Sequence, residues 1–141
     1  MNSLDMTELL SEAYSLADRI NESKEVSRYL ELKRALAEDE EARKLINRFQ
    51  TKKELFAEAQ RFGHFHPDYH RAKDEAKEYL AEIRKYPLIK EYLELEEILD
   101  QLLNGVSQRI ANAVSEDIKV PVNDEIQAMR EANQKRRKSC G

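Results

Sequence analysis

The sequence is poor in the residues from which ligand-binding loops and disulfide frameworks are built. Its 141 residues include three glycines, three prolines, one cysteine and no tryptophan. Loops that cradle nucleotide phosphates are rich in glycine, so this composition nearly excludes a nucleotide-binding loop. The single cysteine, Cys140, cannot form an internal disulfide, which is typical of a protein from a reducing compartment.

Long apolar runs and targeting signals are also missing. The sequence has no stretch of about 18 consecutive apolar residues, so it predicts no transmembrane helix. Its first residues, Met-Asn-Ser-Leu-Asp-Met-Thr-Glu, lack the basic and apolar segments of a signal peptide. We therefore expect a cytoplasmic protein with no membrane insertion.

Charge, in contrast, is abundant and unevenly distributed. Charged residues make up 37% of the chain and hydrophobic residues 40%, a composition typical of long helices that complete their burial by self-association. Residues 119–141 carry a net charge of +3, whereas residues 1–118 carry −7. An acidic body argues against direct nucleic-acid binding. The basic run at 135–138 leaves phosphate contact with RNA open as an alternative function.

Helical periodicity predicts an all-α protein, an elongated helical bundle of five helices with a long helical hairpin. The predicted helices are 5–21, 23–37, 39–62, 67–86 and 87–117, with Asp5 and Ser23 as N-caps. We expect a helical domain over 1–122, followed over 123–141 by a short helix or a flexible basic tail. No segment alternates like a β-strand.

The fifth predicted helix carries more apolar surface than one neighbouring helix can cover. It is therefore the candidate for the central or dimer-forming helix, and we expect a homodimer. The residues predicted to form the dimer contact or the core beside it are Leu95, Ile98, Leu99, Leu102, Val106 and Ile110.

The junction between the third and fourth helices is unusually aromatic. Gly63 and Pro67 supply what a turn needs, a residue that tolerates positive φ and a residue that starts a helix. A turn does not require Phe62, Phe65 or Tyr69. These three residues predict either a partner-binding element or the apolar closure of the hairpin end.

The same junction holds three histidines, His64, His66 and His70, with Asp68 between them. Imidazoles and carboxylates are zinc ligands, and His66 and His70 are spaced for one helix face. The alternative is that His66 helps to start the helix and His64 is solvated. No further ligand cluster and no nucleophile constellation accompany them, so we expect a non-enzymatic protein. A metal-dependent enzyme is the lowest-ranked alternative.

Three segments carry a resemblance to a known family. They are Ala-Glu-Asp-Glu-Glu-Ala at 37–42, Gln-Arg-Phe-Gly at 60–63 with His-Pro-Asp-Tyr at 66–69, and Ala-Val-Ser-Glu at 113–116 with Lys-Val-Pro at 119–121. In this order they resemble the YlbF/YmcA family of bacterial proteins, and the YlbF branch more closely. The resemblance covers residues 5–122.

The resemblance implies a small all-helical regulator of competence, sporulation and biofilm formation without a catalytic site. It implies an adaptor that assembles with YmcA-like and YaaT-like partners in a complex associated with RNase Y, mRNA processing and iron–sulfur clusters. The YlbF branch ends in a cysteine-rich tail, whereas this chain ends in Ser139, Cys140 and Gly141. One thiol cannot hold a four-thiolate cluster alone. We therefore expect no intrinsic cofactor. For Cys140, three alternatives stay open: a thiolate whose pKa is lowered by the basic run, ligation shared with partner chains, and a free thiol without a role.

Overall fold

A computed structural model of the protein describes residues 5–121. These residues form five α-helices joined by turns, and no strand occurs among them. The helices are α1 (Met6–Asn21), α2 (Lys24–Glu38), α3 (Glu40–Arg61), α4 (Pro67–Ile83) and α5 (Pro87–Val114). The predicted all-α class is confirmed. The predicted tail over 123–141 lies outside the described residues.

Three short polar side chains start the first three helices. The carboxylate of Asp5 accepts a hydrogen bond from the Thr7 N–H at 3.1 Å. The hydroxyl of Ser23 accepts from the Val26 N–H at 3.3 Å, and the carboxylate of Asp39 accepts from the Ala42 N–H at 2.9 Å. Each satisfies a backbone donor that has no partner within its helix, and two of these caps were predicted.

Two helices end earlier than the periodicity predicts. α4 ends at Ile83, because the backbone N–H groups of Lys85 and Tyr86 donate three residues back, at 3.1 and 3.0 Å, in a turn. Pro87 then restricts the backbone of Tyr86 and starts α5. α5 ends at Val114, and Ser115 continues into a turn in which its backbone oxygen accepts from the Ile118 N–H at 3.2 Å.

The chain divides into two compact units, Met1–Ile98 and Leu99–Gly141. The first unit holds a hydrophobic core built from α2, α3, α4 and the start of α5. Its buried residues are Leu36, Ala42, Ile83 and Ile89, and half-buried aliphatic and aromatic side chains pack around them. In the second unit, Leu99 is buried, whereas Leu102, Leu103, Ile110, Val114 and Ile118 are exposed.

Tyrosines and one ion pair attach α2 to the start of α5. The rings of Tyr29 and Tyr92 stack with centroids 5.1 Å apart, and their hydroxyls are 3.0 Å apart. Burial, together with the Tyr29 hydroxyl, raises the pKa of Tyr92. The Arg28 guanidinium donates to both oxygens of Glu91 at 2.7 and 2.9 Å, and this hydrogen bonding lowers the pKa of the Glu91 carboxyl.

A further tyrosine bond links the α2–α3 junction to the turn before α5. The Tyr86 hydroxyl donates to the Asp39 carboxylate at 2.5 Å. The Ala42 N–H and the Tyr86 hydroxyl together lower the pKa of Asp39. Asp39 therefore connects two chain junctions that are 47 residues apart in sequence. Within residues 5–121, no helix is long and apolar enough to cross a membrane.

Candidate protein-contact site

The loop of the α3–α4 hairpin, residues 62–66, reverses the direction of the chain at a single glycine. Gly63 has a φ of +86°, a conformation that other residues adopt only with strain. Its N–H donates to the Gln60 oxygen, and its own oxygen accepts from the His66 N–H, both at 3.2 Å. The predicted role of Gly63 as the turn residue is confirmed.

His66 starts the second arm of the hairpin. Its Nδ1 accepts a hydrogen bond from the Asp68 N–H at 3.2 Å, so the imidazole serves as the N-cap of α4 directly before Pro67. This is the helix-starting alternative considered above. Among the described residues, no three His, Cys, Asp or Glu side chains come together as a metal site would require.

Tyr69 lies inside the hairpin end. The residue is 6% exposed, and its ring lies 5.4 Å from that of Phe56 on the opposite arm. The rings of His64 and His70 meet it edge-on at 4.7 and 5.2 Å. Tyr69 therefore closes the hairpin end and is separated from the surface. Of the three aromatic residues predicted to bind a partner, Tyr69 is buried, whereas Phe62 and Phe65 are exposed.

Phe62 and Phe65 remain on the surface. Phe65 is fully exposed, and Phe62 is 68% exposed, with its ring 5.6 Å from the imidazole of His66. Large aromatic side chains in this state lose the favourable free energy of burial unless a partner covers them. These two residues keep the predicted role in partner binding, which remains a prediction.

Beside the exposed Phe62, α3 and α4 enclose a groove with a volume of about 510 Å³. We call it the hairpin groove. Apolar side chains of both helices form part of its wall, and charged side chains form the rest. Its lining residues are Lys52, Leu55, Glu58, Ala59, Phe62, His66, Asp68, Arg71, Ala72 and Glu75.

Most charges of the hairpin groove are already paired. Lys52 of α3 binds Glu75 of α4 at 2.9 Å, and Arg71 binds Asp68 at 2.9 Å. Among residues 5–121, Glu58 makes no ion pair and no side-chain hydrogen bond. The groove therefore offers apolar surface together with one uncompensated carboxylate, a feature that the sequence does not reveal because two helices contribute to it.

The second apolar surface lies on α5. At 100° per residue, Leu102, Leu103, Ile110 and Val114 fall on one face of the helix, which we call the α5 stripe, and all four are exposed. Of the other residues predicted for a dimer contact or core, Leu99 is buried, Leu95 and Val106 are half-buried, and Ile98 is 51% exposed.

α1 also presents an apolar face that the described residues cover only in part. It contains no buried residue, and the large apolar side chains exposed on it are Met6, Leu9, Leu10, Tyr14 and Leu16. The sequence shows this amphipathic pattern but does not show whether its own chain or another chain covers it.

The chain is similar in sequence to a known protein family. Residues 9–115 match the family described as control of competence regulator ComK, YlbF/YmcA. The chain belongs to the YlbF/YmcA family. The regulatory protein YlbF of Bacillus subtilis (strain 168) is 36% identical to this YlbF/YmcA family member over 118 residues, which are 84% of this chain and 79% of the relative. The predicted family and its YlbF branch are confirmed.

A solved structure supports contact with other proteins for this YlbF/YmcA family fold. It is the crystal structure of Bacillus subtilis RicA in complex with RicF, of which the matched chain is 35% identical to this protein with a TM-score of 0.62. The match covers 80% of this chain and 98% of the matched chain. The relative is a regulatory protein, and the matched chain comes from a complex of two proteins, which supports a regulatory adaptor that acts through protein contact.

Proposed function

We propose that the protein is a non-enzymatic adaptor that joins a YmcA-like and a YaaT-like partner. Together they would modulate RNase Y-dependent mRNA processing, and through it competence, sporulation and biofilm development. The support is membership of the family that controls the competence regulator ComK, together with the similarity to a chain of the RicA–RicF complex. The absence of a catalytic constellation in the sequence agrees with this role.

The observation that carries the proposal is the number of large apolar side chains that are exposed within residues 5–121. Exposed leucine, isoleucine and phenylalanine side chains occur on α1, on the α5 stripe and at the hairpin loop. Exposed groups of large apolar side chains often mark contact sites in soluble proteins. A catalytic role would instead require convergent polar groups in a closed pocket.

We assign different contacts to two of these surfaces. The α5 stripe is the proposed homodimer contact, since its residues fall on one helix face as in a helix-pairing seam. The hairpin loop, with Phe62 and Phe65, is the proposed element for recognition of a YmcA-like partner. Exposed aromatics of this type often dominate the binding energy of an interface.

Cys140 lies outside the described residues. The single thiol supplies at most one of the four thiolates that usually hold an iron–sulfur cluster, so a cluster would require ligands from partner chains. No step of the proposed adaptor role depends on such a cluster.

The direct test is co-purification from the native host. The chain, carrying an affinity tag, should retain its YmcA-like and YaaT-like partners in stoichiometric amounts. Deletion of its gene should change the processing of the transcripts that RNase Y cleaves. A purified chain that retains neither partner, together with unchanged transcripts in the deletion strain, would contradict the proposal.

A further inference from the structure

The shape, the apolar lining and the charge of the hairpin groove together favour one kind of binding partner. We propose that the groove binds an amphipathic helix of a partner protein that carries a lysine or arginine opposite Glu58. This inference rests on the proposed role of the hairpin end in protein contact. It specifies the chemistry of what binds there.

The shape of the groove favours a helix. Its lining on α3 extends from Lys52 to Phe62, and ten residues at 1.5 Å per residue span about 15 Å. That length matches about three turns of a third helix packed against a helical pair, with apolar anchors one turn apart. Its volume of about 510 Å³ accommodates several side chains.

The surface of the groove indicates where such anchors would lie. Leu55 is 50% exposed and Phe62 68% exposed on the α3 side, and Ala72 offers a small side chain on α4. Small residues allow the backbone of a third helix to approach closely, while Leu55 and Phe62 supply apolar area for its anchors. The fully exposed Phe65 follows Phe62 in the loop and extends the apolar surface.

The charge of the groove selects a basic helix. Three carboxylates and two cations line it, and the two cations are each 2.9 Å from a carboxylate of the lining. Glu58 is the remaining carboxylate. A partner that placed an acidic residue there would meet uncompensated repulsion, whereas a lysine or arginine would complete the pairing.

The charge of the groove also disfavours α1, from a second copy of the chain, as the helix that binds there. α1 exposes an apolar face, but its charged residues are Glu8, Glu12, Asp18 and a single Arg19. A second copy that inserted α1 into the groove would bring acidic residues toward Glu58. The groove therefore fits a basic helix of a different protein better than it fits α1 of a second copy of this chain.

Two synthetic peptides test the charge selection. Both are 14-residue, lactam-stapled helices with leucines at positions 4, 8 and 11, and they differ only in carrying lysines or glutamates beside this apolar face. Fluorescence anisotropy with the full chain should give at least about tenfold tighter binding of the basic peptide. Equal affinities, or tighter binding of the acidic peptide, would overturn the inference.

Matched variants locate the binding. Glu58→Gln should reduce the preference for the basic peptide at least threefold, and Glu58→Lys should reverse it. Glu54→Gln, which removes the same charge one turn earlier on α3 outside the groove lining, should leave the preference unchanged. Equal effects of Glu58→Gln and Glu54→Gln would mean that only the overall acidity of the body attracts the peptide, and would overturn the inference.

Apolar variants complete the test. Leu55→Ala and Phe62→Ala should each weaken both peptides at least threefold, whereas Leu30→Ala, a similarly exposed leucine on α2, should not. If Phe62→Ala instead dissociates a dimer of the chain itself in sedimentation, the occupant is a second copy and the inference is wrong.

These outcomes are separable from the adaptor proposal. A chain that binds its YmcA-like partner but shows no peptide preference would overturn this inference alone. A peptide preference that depends on Glu58, in a chain that retains no family partner, would support the groove assignment and contradict the proposed function.

Discussion

The two ends of the α3–α4 hairpin use apolar residues in opposite ways. At one end, Ala42 and Ile83 are buried together with Leu36 of α2 and Ile89 of α5. At the loop end, Tyr69 is buried, whereas Phe62 and Phe65 are exposed. The same pair of helices therefore closes one end within the chain and leaves aromatic surface uncovered at the other. The difference places buried packing at the first end, and it is the basis of the proposal that the second end contacts a partner.

The largest effect should follow truncation at the buried end. Ile83 is 3% exposed, and Ile83→Ala should lower the free energy of unfolding by about 2–5 kcal/mol, because it removes apolar contacts and leaves a cavity. Urea denaturation followed by circular dichroism measures this loss. Leu30→Ala on the exposed side of α2 is the matched control and should change stability by about 0.5 kcal/mol or less.

A loss below about 1 kcal/mol for Ile83→Ala would contradict the assignment of the core. It would mean that the site collapses around the smaller side chain or that the core lies elsewhere. In that case the comparison between the two ends of the hairpin would lose its basis.

The next effect concerns association through the α5 stripe. Leu102→Asp should weaken the proposed homodimer by about 2 kcal/mol, roughly 30-fold in Kd, because a carboxylate would be desolvated in the contact without a partner. Sedimentation equilibrium over a range of protein concentrations measures the change. A wild-type chain that stays monomeric at high micromolar concentration would refute the homodimer.

A smaller, pH-dependent effect should appear at Asp39. Its folded-state pKa is lowered by the Ala42 N–H and the Tyr86 hydroxyl. The stability that the ionised carboxylate contributes is therefore complete above its ordinary pKa of about 4 and is lost as the pH falls through the lowered value. Asp39→Asn should accordingly be less stable than wild type at pH 7, and the difference should shrink at pH 3.

Thermal melts at the two pH values measure this difference. Tyr86→Phe keeps the ring but removes the hydroxyl that donates to Asp39, so it should show part of the same loss at pH 7. A difference between wild type and Asp39→Asn that is independent of pH would contradict the role assigned to the charge.

The sequence predicts those parts of this structure that depend on local chemistry. The N-caps Asp5 and Ser23 and the turn at Gly63 are predicted correctly because a short polar side chain or a glycine decides each of them within a few residues. The end of α4 is predicted three residues too far, since helical periodicity continues to Tyr86 and does not show where backbone bonds change to a turn.

The candidate site depends on packing that the sequence does not contain. Tyr69 and Phe65 are both aromatic residues of one short segment, yet the ring of Phe56 covers Tyr69, whereas none of residues 5–121 covers Phe65. The hairpin groove likewise arises only when residues of α3 and α4 that are far apart in sequence come together. The predicted domain boundary at residue 122 lies at the limit of the described residues and stays a prediction.

The measurement that tests the central claim most directly compares stability and partner affinity in Phe65→Ala. Because Phe65 is fully exposed, its melting temperature should stay within about 2 °C of wild type. Its affinity for the YmcA-like partner should fall by about 2 kcal/mol, roughly 30-fold. The control Tyr69→Ala should instead lower stability, since Tyr69 is buried against Phe56. A destabilised Phe65→Ala variant with unchanged affinity would contradict the account and leave the loop as part of the scaffold.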